Sequence, residues 1–132
     1  MENSSTAISH KIDNTIKDAE VRANYILLIE KLLDPIREKD GKAIRGTSGY
    51  RCREVNRIIG GVQNSQHQGV NGAAADLVAG NTRDNRDLFS LIVKMQKSGE
   101  ISFDQLINER KNYSWIHISY NKDHNRNQVL AI

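Results

Sequence analysis

With 132 residues, 38% of them hydrophobic, the chain is long enough to bury one core and too short for two. A single cysteine excludes an internal disulfide framework and a cysteine-rich zinc ribbon, and no apolar run approaches the length of a membrane span. A net charge of +3 is too small to argue for nucleic acid, although a pI near 9.1 would permit an anionic partner. Residues 1–17 read as a polar N-terminal arm, and residues 18–132 as one domain. The opening Met1-Glu2-Asn3-Ser4-Ser5-Thr6 has neither the basic nor the apolar stretch of a secretory signal, so synthesis is expected in the cytoplasm. From Asp18 to Asp34, Val21, Tyr25, Leu28, Ile29, Leu32 and Leu33 recur at helical spacing. Pro35 is expected to stop or kink that helix at Asp34, with one further turn over Ile36-Arg37-Glu38 and a glycine cap at Gly41. Lys42 to Thr47 is a short extended candidate, and Arg53 to Ile59 a short helix closed by Gly60-Gly61. Asn64 to Ala75 has no periodicity and reads as loop, from which a strand emerges over Ala74 to Ala79. A second amphipathic helix spans Arg86 to Lys97. Ile101 to Ile107 and Trp115 to Tyr120 form an antiparallel pair around a polar loop. The fold class is α+β: two or three helices packed on a small, mainly antiparallel sheet.

Four histidines occur in different settings. His10, in the arm, and His124, in a turn-like stretch, read as solvated. His67 sits in the loop Ser65-Gln66-His67. His117 alternates with two isoleucines in Trp115-Ile116-His117-Ile118-Ser119, so it points away from the buried face of its strand. Asp76 lies between Ala75 and Leu77 in a segment stripped of bulk, where a carboxylate needs a cation, a metal or several donors. Two imidazoles and one carboxylate on separate elements are the inventory of a catalytic zinc site, with three protein ligands and one open position. Spacing alone offers such triples by chance in any chain of this size.

Six segments in fixed order carry a resemblance. They are Leu33-Asp34-Pro35-Ile36-Arg37-Glu38, Thr47-Ser48-Gly49-Tyr50-Arg51-Cys52 with Asn56, and Asn64-Ser65-Gln66-His67 after Ile59-Gly60-Gly61. The others are Gly72-Ala73-Ala74-Ala75-Asp76-Leu77, Phe103-Asp104-Gln105-Leu106-Ile107 and Trp115-Ile116-His117-Ile118-Ser119. Together they resemble the M15 zinc peptidases, the D-alanyl-D-alanine carboxypeptidases and L-alanyl-D-glutamate endopeptidases that include many phage lysins. The resemblance implies a zinc cleft on the sheet with Zn2+ held by His67, Asp76 and His117. It implies an enzyme acting on a peptide bond beside a D-amino acid in the peptidoglycan stem or cross-link. It also makes Arg51 a substrate-binding residue, since a guanidinium grips a carboxylate through two parallel hydrogen bonds. Arg51 is expected to help stabilise the charge of the tetrahedral intermediate as well. Ser65 is expected to orient the loop or the substrate, and Trp115 to form cleft wall.

The chain departs from the family in two places. The stretch from Gln68 to Asn71 between the first histidine and the Gly-Ala-Ala-Ala-Asp segment is longer than usual. Members also carry an acid three positions before the last histidine ligand, where this chain has Ser114. The nearest acids are Glu109 and Asp104. If Ile107 pairs with His117, Glu109 faces Trp115 on the histidine side and serves as general base; a one-residue slip hands that face to Asp104. A rival enzyme class rests on Cys52, a thiol between Arg51 and Arg53 that would be a nucleophile if paired with a histidine. Chelator sensitivity points to zinc, and alkylation sensitivity to Cys52. The expected partner is a peptidoglycan stem peptide, with no nucleic acid and no membrane, and the chain is expected to be a monomer. Action on the cell wall, as a phage lysin or a virion component, is the expected location. The rival from a different class is a non-catalytic wall-binding or virion module that keeps the fold.

Overall fold

Every strand and helix of the computed structural model lies within residues 2–80 and 82–132, the part of the chain that it describes. Asp18 opens the first long helix, its carboxylate accepting from the backbone N–H groups of Glu20 (2.7 Å) and Val21 (3.4 Å). That helix, α2 (Ala19–Leu28), follows a short α1 (Ser5–Ser9) and runs on into α3 (Asp34–Asp40). The helix does not stop at Asp34. A π-helical turn, Ile29–Leu33, lies between α2 and α3, and Asp34 N–H bonds back five residues to Ile29 O. The widened turn brings Pro35 in as a first-turn residue of α3, where its missing N–H and its ring cost least. Gly41 closes α3 at φ +70°, as its position suggests.

Five strands form one mixed sheet: β1 (Arg45–Ser48), β2 (Ala73–Val78), β3 (Gln105–Asn108), β4 (Ile116–Tyr120) and β5 (Gln128–Ala131), in the order β1-β2-β4-β3-β5. All junctions are antiparallel except the parallel β3–β5 pair. The helices α4 (Arg53–Ile58) and α5 (Thr82–Lys97) complete the α+β architecture. One sheet face carries Ala73, Ala75, Leu77, Leu106, Ile116 and Ile118, all buried in one core with Leu28, Leu32 and Ile36 from the α2–α3 helix and Leu88, Ile92 and Met95 from α5. The alanines matter here, because their small side chains let α2 lie close to β2. The burial of a single such side chain as Ile92 is worth about 1.5–3 kcal/mol.

The other face carries the chemistry. Asp76 pairs with His117 across β2 and β4, and His117 pairs with Ile107 across β4 and β3. Paired residues of adjacent strands point to the same side, so these three form one rung on the face away from the core. The Ile107–His117 register is the one that favours Glu109.

The N-terminal stretch, read from sequence as an arm, is packed on the domain from Glu2 onward. Ala7 and Ile16 are buried. Asn14, also buried, donates to Glu2 O (2.6 Å) and Tyr50 O (3.0 Å) and accepts from Cys52 N–H (2.8 Å).

Candidate metal centre and cleft

His67 sits in a 3-10 turn, Gln66–Gln68, whose first backbone N–H groups are met by Ser65: its Oγ accepts from His67 N–H at 3.2 Å. The turn ends at Gly69, φ +76°, and a side chain there would strike Val21 Cγ1 at 2.6 Å. The longer stretch after His67 is folded back on itself: Gln68 Nε2 donates to Gln63 O, Gln66 Nε2 to Asn71 O, and Asn24 Nδ2 to Gly69 O. His67 still reaches Asp76 on the sheet.

His67, Asp76 and His117 converge, their donor atoms all within 4.8 Å of one another. His67 Nε2 lies 3.4 Å from Asp76 Oδ1, and His117 Nδ1 3.2 Å from the same oxygen. The tautomer of His67 follows from its other nitrogen. Nδ1 is 2.7 Å from Gly49 O, and a carbonyl only accepts, so Nδ1 carries the proton and Nε2 presents a lone pair. That Nε2 is buried and makes no hydrogen bond among the described residues. With His67 neutral, its Nε2 lone pair faces a carboxylate oxygen and is repelled unless a cation stands between them; with His67 protonated, the imidazolium itself supplies that positive charge to Asp76. Burial pushes the Asp76 carboxyl upward, but the imidazoles of His117 and His67 outweigh it and hold the group well below the usual carboxylate range. The donor set therefore fits a divalent cation such as zinc, and the Gly49 carbonyl supplies the outer support that metal-binding histidines use.

A cleft of about 550 Å³ opens over this cluster, with Arg51, Ser65, Glu109 and Trp115 on its walls. Glu109 is half-buried. Burial raises its pKa above the ordinary 4.5; His117, His67 and Arg110 pull against the rise and Asp76 adds to it. Its backbone N–H bonds Trp115 O at 3.2 Å, which prolongs the β3–β4 pairing and carries Glu109 to the cleft side. Asp104 also borders the cleft but is only 2% exposed and already engaged by Arg126 and Gln66. Ser114 turns back to Asn112, its Oγ 2.5 Å from Oδ1. Trp115 is half-buried with the Arg110 guanidinium 5.2 Å from its ring centre.

Arg51 is partly buried, and its Nε lacks a hydrogen-bond partner among the described residues. Burial lowers its pKa while Asp76 and Tyr25 oppose the drop, and an arginine stays charged under such a shift. Gly61 makes room for it: a side chain there would lie 3.3 Å from Arg51 Nη1 and collide with Asn56. Cys52 caps α4 and does not border the cleft, which leaves the thiol-nucleophile reading without a site. His10 is exposed, as expected; His124 is exposed too but stands at the cleft edge.

A family model described as Peptidase M15 matches residues 2–119. The chain belongs to the M15 peptidases. No curated protein matches it. The match begins within the segment first read as an arm, in keeping with the packing of that segment on the fold.

Sequence reasoning passed over two residues that shape this M15 site. Asn14 binds the backbone on both sides of Arg51, at Tyr50 O and Cys52 N–H. A lone Asn in a polar stretch gives no signal of such a role. Tyr25, read only as part of an apolar stripe, places its hydroxyl 2.9 Å from His67 O and 3.0 Å from Ala74 O, between the two elements that carry His67 and Asp76.

Proposed function

We propose that this M15 peptidase is a zinc enzyme that hydrolyses a peptide bond next to a D-amino acid in the peptidoglycan stem or cross-link. The observation that carries the proposal is the convergence of His67, Asp76 and His117, whose donor atoms all lie within 4.8 Å of one another with His67 Nε2 buried and facing Asp76. His67, Asp76 and His117 hold the ion. Zinc supplies Lewis acidity and a water made acidic enough to attack near neutral pH. The remaining work falls to the protein's own groups. Glu109, on the cleft wall with a raised pKa, takes the proton of the attacking water and delivers it to the departing amine nitrogen. Arg51, anchored through its backbone N–H to His67 O at 2.8 Å, receives a substrate carboxylate and so sets the register of the peptide in the cleft. It also steadies negative charge as the carbonyl becomes tetrahedral. Ser65 and Trp115 shape the walls that hold the stem peptide.

The enzyme works as a monomer on a peptidoglycan partner, with no nucleic acid and no membrane. It is made in the cytoplasm and reaches the wall as a phage lysin or a virion component. The test is release of new amine groups from purified peptidoglycan by zinc-loaded protein, with His117→Ala as control. Wild type is expected to exceed the control clearly. Equal release would replace the enzyme reading with a wall-binding or virion module that keeps the fold.

A further inference from the structure

Asp104 was weighed from sequence as a proton acceptor, yet its surroundings leave it no free lone pair. Its Oδ1 accepts from Arg126 Nε (2.7 Å) and Arg126 N–H (3.2 Å), and its Oδ2 from Arg126 Nη2 (3.0 Å) and Gln66 Nε2 (2.7 Å). Four donors on two oxygens saturate a carboxylate. The backbone of the same residue is equally committed. Its N–H bonds Ser119 O at 2.8 Å, and its carbonyl accepts from Gln128 N–H at 3.0 Å. Asp104 therefore joins the starts of β3 and β5 to β4, two residues beyond His117, and reaches through Gln66 to the turn that carries His67.

Stability alone is a weak reason for such an arrangement. An ion pair with one partner almost fully buried gains little over apolar groups of the same size, because desolvation cancels most of the attraction. What the pair does provide is a fixed geometry between separate elements. Gln66 spends both amide protons here, one on Asp104 and one on Asn71 O at 2.8 Å, so the 3-10 turn is held through Gln66 as well as through Tyr25 at His67 O.

We propose that Asp104 is a positioning residue for the metal centre: through Gln66 it sets the turn that aims His67, and through Ser119 it holds that turn in register with the strand bearing His117. The proposal rests on the zinc reading above.

The experiment measures zinc affinity by competition with a chromophoric chelator, and the visible spectrum of the cobalt-loaded protein, for wild type, Asp104→Asn, Gln66→Leu, the double variant and His117→Ala. Asp104→Asn and Gln66→Leu are each expected to weaken zinc binding about 10-fold or more, within the range of outer-shell substitutions, and to alter the cobalt spectrum. The double variant is expected to bind no more weakly than Asp104→Asn, since both act along one path. Gln66→Leu leaves the ion pair with Arg126 intact, so it carries the test if Asp104→Asn fails to fold. Folded variants with wild-type affinity and spectrum would overturn the proposal alone, as would additive losses. A wild type that takes up no more zinc than His117→Ala would overturn the zinc reading and this proposal with it.

Discussion

Removing one oxygen atom from Tyr25 tests how far the ligand geometry depends on the core. Tyr25 is 3% exposed, its ring meets Tyr50 edge-on with centres 6.0 Å apart, and its hydroxyl lies between His67 O and Ala74 O. A phenol has one proton for these two acceptors, so Tyr25→Phe deletes one hydrogen bond's worth of donor and leaves the ring packing in place. His67 O keeps its bond from Arg51 N–H at 2.8 Å, so the loss falls mainly on the link between the 3-10 turn and β2. A buried acceptor deprived of its donor costs about 1–2 kcal/mol. At about 2.1 cal/mol/K per residue, unfolding of a chain of 132 residues carries roughly 0.28 kcal/mol/K of entropy, so the melting temperature should fall by about 4–7 °C. The assay is thermal unfolding of metal-free protein followed by circular dichroism, paired with a zinc titration. Zinc binding should weaken severalfold, because the turn carrying His67 has lost a tether. A melting temperature within 1 °C of wild type (about 0.3 kcal/mol or less), with zinc affinity unchanged, would refute the reasoning.

Glu109→Gln is expected to lower kcat/KM by about 10²–10⁴ while zinc affinity holds, because the general base is lost and the ligands are not. Glu109 acts when deprotonated and its pKa is raised, so kcat/KM of the wild type should climb with pH through a value above 4.5; an acidic limb at or below 4.5 would count against Glu109. Zinc at 100 times its Kd should stabilise the fold by about 2.7 kcal/mol, or roughly 10 °C, in scanning calorimetry. His117→Ala should abolish that shift, and a shift that survives the substitution would place the metal elsewhere. Gly69→Ala meets both a left-handed backbone and Val21, so urea unfolding should show a loss of about 1–3 kcal/mol. Stability unchanged by that substitution would mean the turn after His67 relaxes freely.

The helices and the central hairpin were legible because their periodicities are strong. Val21 to Leu33 repeats at helical spacing, and Ile116, His117 and Ile118 alternate cleanly. The π turn before Pro35 was not legible, because it leaves no mark in residue types: it is a change in hydrogen-bond spacing that the same apolar stripe accommodates. The sheet's last strand escaped notice for a different reason. Gln128–Ala131 is short, lies at an edge, and is held by parallel pairing to β3 rather than by an apolar face of its own. The bonding of Asn14 to the Tyr50–Cys52 segment is equally a matter of contacts distant in sequence, and the polar composition around that residue concealed it.

The choice between Glu109 and Asp104 shows how a site can be half legible. The three proposed ligands stood out because each is a chemically unusual residue for its local setting: an imidazole between isoleucines, a carboxylate among alanines, a histidine in a loop. The base turns on register, which the sequence left open between Ile107–His117 and a one-residue slip; the sheet adopts Ile107–His117. Yet both acids border the cleft, so facing alone does not separate them. What separates them is occupancy of their lone pairs. Asp104 is quenched by a guanidinium 22 positions further along, on the segment leading into the unforeseen strand β5, whereas Glu109 stands half-buried beside His117 with its pKa raised. Missing β5 and leaving Asp104 open as the alternative to Glu109 therefore have one cause. An acid can be discounted as a catalyst only when the cation that neutralises it has been found, and here that cation arrives with the last strand of the sheet.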